Sequence, residues 1–378
     1  MKKRKVFLSM FSIILSAVLM FSVFSSEIFK NDAVADVKLY NVSGKLTEIK
    51  DDFLNIFNDN KDANNQNRAL TEPLPQVYIG GYPIGLKLYA DGVVIVGTEA
   101  VDTENGLINT AEKAGLKIGD IIKKVNGTEV KNNTQVSSII EKSAGQELIF
   151  EAERKGKLFE VSFKAEFSKS EQKYKAGIWI RDSSAGIGTV TFCTIDGGFA
   201  SLGHAVCDID TKSTIPISQG DCTNAKLTGF IKGQNGSAGE LCGYLDKDRT
   251  GIILSNDNWG VYGCFDSLPE NKVLYEIASS SEIKTGEAEM LTTIENGITE
   301  TYSIVIEKID EKSDENKNLV IRITDRRLIE KTGGIIQGMS GSPIIQNGKL
   351  VGAVTHVLVN DPTRGYGIFI ENMLDAAE

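Results

Sequence analysis

The second half of the chain, from Ala176 onward, consists almost entirely of short apolar runs separated by turn residues. Residues 189–192, 252–254 and 350–356 are examples, each long enough for one strand and rich in β-branched side chains. No part of this half keeps a helical periodicity over a long distance. Many short strands satisfy their backbone groups most readily in barrels or sandwiches. The sequence therefore predicts a mainly β fold, with two barrels or a sandwich, in residues 170–378.

Residues 76–165 show a different order of elements. Two strands are predicted on either side of the Asp91-Gly92 turn, followed by a short helix that ends at Gly115. A strand that ends at the turn Asn126-Gly127 comes next, then a helix whose first residues lie near Asn132, then two further strands. We expect this region to form a separate small domain.

Together with the segment Pro83-Ile84-Gly85-Leu86, this order of elements resembles a PDZ domain. The resemblance implies that Ile84, Gly85 and Leu86 present backbone N–H groups to the carboxylate of a bound peptide. It also implies that Val136, on the facing helix, lines a pocket for a peptide side chain. The alternative is a PDZ fold that serves only as a spacer or as a clamp on the second domain.

The N-terminus has the charge pattern of an exported protein. A basic cluster at residues 2–5 precedes an uncharged, mostly apolar run at residues 6–24, which is long enough to span a bilayer as a helix. A small-x-small sequence at residues 33–35 has the form of a signal-peptidase site but lies well beyond this run. We expect residues 1–30 to be a signal or anchor helix, with an uncleaved anchor favoured, and residues 31–75 to be an exposed linker.

Composition excludes several function classes. The 378-residue chain has a formal charge of −10, which disfavours nucleic acid as a partner. Its five cysteines include no C-x-x-C pair and it has two histidines, so a zinc site is not expected. We expect no cofactor, and small buried thiols rather than a disulfide framework.

One loop carries the signature of a nucleophile. The segment Gly338-Met339-Ser340-Gly341-Ser342-Pro343 precedes a predicted hairpin and resembles the G-x-S-G-x-P loop of chymotrypsin-like serine peptidases. In such a loop the serine projects from a tight turn while N–H groups converge on the carbonyl oxygen that becomes negative. We predict Ser340 as the nucleophile and the N–H groups of Gly338 and Ser340 as the oxyanion hole. Ser342 is the competing serine.

A serine nucleophile needs a base, and the chain has two histidines. His204 follows an apparent strand and is the preferred base, whereas His356 lies on the strand after the nucleophile hairpin. Asp208 and Asp210 are close to His204 in sequence and could orient its ring. Asp325, 15 residues before the nucleophile, would give the order His, Asp, Ser.

Longer motifs resemble those of the stage IV sporulation protein B peptidases of endospore-forming bacteria. These motifs are residues 178–182, 202–205 and 331–343, together with Asp325. The resemblance implies a PDZ domain at 76–165, followed by a chymotrypsin-like double β-barrel peptidase at 170–378. The family's proposed catalytic residues correspond to His204, Asp325 and Ser340.

The same resemblance implies a biological role. It points to a signalling protease, placed between the two membranes around the forespore, that cuts its own N-terminal region and a regulator of an intramembrane protease. That cut would activate a late mother-cell sigma factor. The alternative function is a non-catalytic PDZ scaffold that binds exported peptide ends, which labelling with a fluorophosphonate would distinguish. A quality-control protease of the HtrA kind is disfavoured because its PDZ domains follow the protease.

Overall fold

A computed structural model describes residues 76–270, 273–313 and 315–375, and it confirms the prediction of a mainly β fold. The strands are β1 (Gln76–Ile79), β2 (Pro83–Thr98), β3 (Val101–Thr103), β4 (Gly106–Ile108), β5 (Ile121–Val125), β6 (Thr128–Glu129), β7 (Glu147–Arg154), β8 (Lys157–Lys164), β9 (Glu166–Ser168), β10 (Lys173–Lys175), β11 (Ile178–Cys193), β12 (Gly198–Ser201), β13 (Ile217–Ile231), β14 (Glu240–Asp257), β15 (Gly260–Phe265), β16 (Leu274–Glu276), β17 (Gly286–Thr293), β18 (Thr299–Ile309), β19 (Leu319–Ile323), β20 (Pro343–Gln346), β21 (Lys349–Leu358) and β22 (Asp361–Phe369). The helices are α1 (Thr110–Ala114), α2 (Asn133–Lys142), α3 (Arg326–Thr332) and α4 (Ile370–Asp375), with a 3₁₀ turn at Ser280–Glu282.

The first barrel is a ring of six strands. Its strand order is β11-β12-β15-β14-β13-β2, and the pairing of β2 with β11 closes the ring. The side chains that fill it are aliphatic and aromatic and include Leu86, Leu88, Val190, Phe199 and Val261. Alternation along β2 explains this packing, because every second residue of a strand faces the same side.

The second barrel is closed by the strands β17-β18-β19-β22-β21-β20. Met290, Tyr302, Ile321 and Ile344 are buried in its core. Helix α3 lies between β19 and β20 in the chain, so it leads from this barrel into the predicted nucleophile loop. Two six-strand rings agree with the predicted double-barrel organisation of the second domain.

Most of the PDZ module is formed by the residues between β2 and β11 in the chain. Its sheet also includes the last residues of β2 and the first residues of β11, two strands that belong to the first barrel as well. Beyond the barrel, Val94 of β2 pairs with Ile121 of β5. Strand β5 pairs with β7, and β7 pairs with β8. On its other side, β2 pairs with Ile178–Arg181, the first residues of β11. The module has its own apolar core, to which α1, α2 and the sheet contribute.

The structure corrects the predicted carboxylate-binding loop. Ile84, Gly85 and Leu86 lie inside β2, where Gly85 is opposite Ile187 on β11 and opposite Thr223 on β13. A strand that is paired along both edges has no free N–H groups to offer to a peptide. Residues 83–90 therefore belong to the first barrel rather than to the PDZ module.

Val136 is also placed differently from the prediction. Its side chain is fully buried in the core of the PDZ module, so it does not border an open groove. Helical spacing indicated a shared apolar face on α2, but the same spacing fits a core contact and a groove contact equally.

No helix within the described ranges is long and apolar enough to cross a membrane. The helix predicted at residues 6–24 and the linker predicted at residues 31–75 lie outside those ranges.

The buried position of Gly85 predicts an effect on stability. A Cβ atom there would lie 2.6 Å from Thr223 Oγ1 and 2.6 Å from a methyl carbon of Leu245. Gly85→Val should therefore lower the free energy of unfolding by about 1–3 kcal/mol through overpacking. Gly186, on the neighbouring strand, has no atom within 4 Å of such a Cβ. Gly186→Val is the matched control for denaturant unfolding, and equal losses in the two variants would contradict this placement.

Candidate active site

The loop between α3 and β20 has the backbone geometry that a projecting serine requires. Gly338 has φ of +95° and Gly341 has φ of +93°, values that residues with a side chain rarely adopt. At Gly341 a Cβ atom would lie only 2.1 Å from the carbonyl oxygen of Thr189. Gly338 therefore needs to be glycine for its backbone conformation. Gly341 needs to be glycine for its conformation and also for its close approach to β11.

Two backbone N–H groups of this loop are unengaged. Within the part of the chain that the structure describes, the N–H groups of Gly338 and Ser340 donate to no backbone or side-chain acceptor. The N–H of Gly341, by contrast, donates to Val354 O at 2.7 Å. Free N–H groups at these positions are what an oxyanion hole needs, so the geometry suits the predicted role of Gly338 and Ser340.

The two serines of the loop differ in accessibility. Ser340 is half-buried, and its Oγ donates a hydrogen bond to Thr355 O at 2.6 Å. Ser342 is fully buried, and its hydroxyl has no hydrogen-bond partner among the described residues. A substrate can therefore approach the hydroxyl of Ser340 and not that of Ser342.

Ser340, His204 and His356 line one cleft with a volume of about 520 Å³. His204 lies in the loop after β12, and its ring packs against that of His356, with ring centroids 4.7 Å apart and planes inclined by 34°. The Nδ1 atom of His204 is 2.9 Å from Ala205 O. A carbonyl oxygen only accepts hydrogen bonds, so Nδ1 carries the proton and Nε2 is the basic nitrogen.

Burial keeps both imidazoles neutral. Desolvation lowers the pKa of His204, and the hydrogen bond to Ala205 O offsets only part of this effect. Desolvation is the main cause that lowers the pKa of His356 to about 4, and the charge of Lys317 and the neighbouring His204 ring lower it further. At neutral pH the ring of His204 is therefore free to accept a proton.

The structure does not bring Asp325 to His204. The Asp325 carboxylate caps α3 by accepting from the backbone N–H of Arg327 at 2.9 Å and from its guanidinium at 2.8 and 3.1 Å. It also accepts from the N–H of Ser303 at 3.4 Å. The hydrogen bonds from Arg327 lower the pKa of Asp325. Helix capping and an ion pair thus occupy the carboxylate that the sequence suggested as the triad acid.

Asp208 and Asp210 do not orient the His204 ring either. Both carboxylates pair with the guanidinium of Arg181, and the Asp208 side chain is almost fully buried. Because Arg181 lies on β11, these ion pairs tie the loop that follows His204 to that strand. Within the described ranges, no carboxylate lines the cleft. The position of Arg181 in the motif at 178–182 was the sequence signal for this contact, but only the fold reveals its partners.

The rest of the cleft is mostly apolar. Leu86 and Leu88 from β2, Ile187 from β11, and Val357 and Val359 from the end of β21 and the turn after it contribute to its walls. Among described residues that line it, the only titratable side chains are the two histidines and Cys207. The cleft therefore suits a neutral, apolar polypeptide segment.

Two family models match this chain, one for a peptidase and one for a PDZ domain. The family model described as SpoIVB peptidase S55 matches residues 172–374, and a PDZ domain model matches residues 110–154.

Individual relatives are more distant. A zinc metalloprotease of Lactococcus lactis subsp. lactis is 29% identical over 196 residues, 49% of this chain and 44% of that protein. Zinc metalloprotease RasP of Shouchella clausii is 34% identical over 79 residues, 21% of this chain and 18% of that protein. The chain thus spans less than half the length of these curated relatives. The active form of the Rv3671c protease from M. tuberculosis is 16% identical, with a TM-score of 0.32, over 50% of this chain and 71% of that one.

The pKa of His204 predicts a pH profile. A base must be neutral to accept a proton, so kcat/KM for a small ester should rise with pH to a plateau before neutrality. Because burial lowers this pKa, the midpoint should fall below the ordinary histidine value of about 6.5. This acid limb should vanish from the residual activity of His204→Gln and persist in His356→Gln. The reverse pattern would identify His356 as the base.

The contacts of Asp325 predict a mild phenotype for Asp325→Asn. Asparagine is also a good helix N-cap, so α3 should be retained and kcat/KM should stay within about tenfold of wild type. Loss of a triad acid costs about 10⁴-fold instead. Steady-state kinetics, with circular dichroism as the check on folding, separates the two results, and the larger loss would restore Asp325 to the catalytic site.

Proposed function

Because this chain belongs to the SpoIVB peptidase S55 family, we propose that it is a serine endopeptidase with Ser340 as its nucleophile and His204 as its general base. The observation that carries the proposal is a convergence in one cleft. Ser340, the ring of His204 and the free N–H groups of Gly338 and Ser340 all meet there.

The chemistry begins with a change in the hydrogen bond of Ser340. Its hydroxyl donates to Thr355 O, so it rotates toward Nε2 of His204 before it attacks the scissile carbonyl. His204 takes the proton, and the oxygen that becomes negative receives hydrogen bonds from the N–H groups of Gly338 and Ser340. His204 then gives its proton to the leaving amine, and the acyl group remains on Ser340 Oγ. Water, deprotonated by the same ring, releases the acid product.

The Ala205 carbonyl takes over one task of a triad acid. It accepts from Nδ1–H, which fixes the tautomer and the orientation of the His204 ring. Its partial negative charge also favours the imidazolium that forms during attack. The active site is therefore a Ser–His dyad supported by a backbone carbonyl.

The substrate is a polypeptide with an apolar side chain next to the scissile bond. Leu86, Ile187 and Val357 give the cleft apolar walls, where a charged side chain would lose its hydration without gaining a partner. Substrates in this class include exported proteins and an extended segment of this chain itself.

The family relationship also supports a role in sporulation signalling. In this role the protein is exported, is held at the membrane by residues 1–30, and acts around the forespore. It cuts its own N-terminal region and a regulator of an intramembrane protease. The basic and apolar pattern of residues 2–24 supports export, and the Asn- and Asp-rich composition of residues 31–75 suits an exposed cleavage region.

A fluorophosphonate probe tests the nucleophile. The full-length chain should be labelled, and Ser340→Ala should lose both labelling and ester hydrolysis. Ser342→Ala is the matched control because its buried hydroxyl has no partner to lose, so this variant should fold and react like wild type. A folded wild-type chain that takes up no label would leave the non-catalytic PDZ scaffold as the better account.

Self-cleavage is tested by the fragment pattern of the full chain. Wild-type protein should yield shorter forms that lack part of the region before residue 76, and Ser340→Ala should accumulate intact. Intact-mass spectrometry of both proteins, purified from the same host, gives the comparison. The same fragments in both would assign the cuts to another protease.

A further inference from the structure

Two buried threonines of β11 bind the nucleophile loop from behind. Thr189 Oγ1 donates to Gly338 O at 2.7 Å, and Thr191 Oγ1 donates to Gly341 O at 2.8 Å. Thr189 and Thr191 are at most 1% exposed, and neither lines the cleft. Their hydroxyls therefore contact the backbone of the loop without reaching the space in which a substrate would lie.

These hydrogen bonds complete a set that engages every carbonyl from Gly338 to Gly341. The backbone N–H of Thr189 donates to Ser340 O at 3.2 Å, and the N–H of Ser342 donates to Met339 O at 3.0 Å. With its carbonyls held in this way, the loop keeps the N–H groups of Gly338 and Ser340 unengaged. Thr189 fixes the peptide plane that lies between these two donors.

The nucleophile loop packs tightly against β11 at Gly341. The Cα of Gly341 lies so close to β11 that a Cβ atom would be 2.1 Å from Thr189 O and 2.5 Å from Leu202 N. Interiors packed this tightly transmit small displacements instead of absorbing them. Loss of a threonine hydroxyl should therefore shift the loop, because an unpaired carbonyl seeks another donor.

We propose that Thr189 and Thr191 are positioning residues that hold the Gly338 and Ser340 N–H groups at the oxyanion. This inference rests on the proposed peptidase function, and it assigns that function two residues that touch neither the substrate nor His204. The requirement is geometric, since an oxyanion-hole donor contributes only when it lies at hydrogen-bond distance from the developing charge.

The same strand also holds the histidine side of the cleft. Arg181 of β11 pairs with Asp208 and Asp210, which follow His204 in its loop. One strand thus holds the nucleophile loop through its threonines and the segment after His204 through its arginine. β11 therefore contacts both of the loops that bring a catalytic group to the cleft.

The test uses the full chain with Thr189→Val, which keeps the shape of the side chain and removes the hydroxyl. We expect kcat for a small chromogenic ester to fall about 10- to 100-fold with KM nearly unchanged, because displaced oxyanion donors affect the transition state alone. Affinity for a peptide boronic acid, whose tetrahedral adduct occupies the oxyanion hole, should fall in parallel. Thr189→Ser retains the hydroxyl and should restore most of kcat.

Thr194→Val is the matched control for buried threonines. Thr194 follows β11 directly, is also buried, and donates to Gly198 O rather than to the nucleophile loop. Its substitution should leave kcat and boronate affinity at wild-type values. If Thr189→Val fails to fold, Thr191→Val provides the same comparison through the carbonyl of Gly341.

The outcomes separate this inference from the proposed function. An active wild type with unchanged kcat in Thr189→Val and Thr191→Val would overturn the positioning role and leave the peptidase intact. An equal loss in Thr194→Val would overturn it as well, because the effect would then reflect general packing. A wild-type chain that neither hydrolyses the ester nor binds the boronic acid would contradict the proposed function itself.

Discussion

The antiparallel pairing of β2 with β11 is the interaction on which the rest of the structure depends. From Pro83 to Tyr89, β2 closes the first barrel against residues 183–189 of β11. Further along, residues 94–98 of β2 pair with residues 178–181 of β11 and form part of the PDZ sheet. Two modules that share both strands of one ladder cannot separate without breaking that ladder, so the PDZ module is built into the barrel rather than attached by a linker.

This arrangement explains how two distant sequence segments form one cleft. His204 and Ser340 belong to loops of different barrels, and hydrogen bonds or ion pairs join each of these loops to β11. The chemistry then follows from local conditions. Burial lowers the pKa of His204, the Ala205 carbonyl selects its tautomer, and two positive-φ glycines leave N–H groups free beside the nucleophile. Among the described residues, no carboxylate lines the cleft, and the hydrogen bond of the His204 ring is made with the carbonyl oxygen of Ala205.

The features that could be predicted from the sequence are those that a local residue pattern determines. The loop around Ser340 was recognisable because its glycines answer a local conformational need, and the mainly β fold followed from short apolar runs. The resemblance to a PDZ domain places Gly85 in a carboxylate-binding loop, and the structure corrects this because a local pattern shows neither where a strand begins nor which sheet it joins. The role of Asp325 was not predictable, because a residue before a helix can cap that helix or serve a distant site, and only the contacts with Arg327 decide. The sequence indicates no partner for Thr189 or Arg181, because the groups that they contact lie 149 and 27 residues away along the chain.

A crystal structure of the chain with a peptide boronic acid would test the central claim most directly. The account predicts a covalent bond from Ser340 Oγ to boron, one boronate oxygen within hydrogen-bond distance of the N–H groups of Gly338 and Ser340, and the Nε2 of His204 beside the second oxygen. It also predicts that the Ser340–Thr355 hydrogen bond is lost and that both threonine hydroxyls keep their carbonyl partners. A boronate bound to another side chain, or one whose oxygens contact neither N–H group, would contradict it.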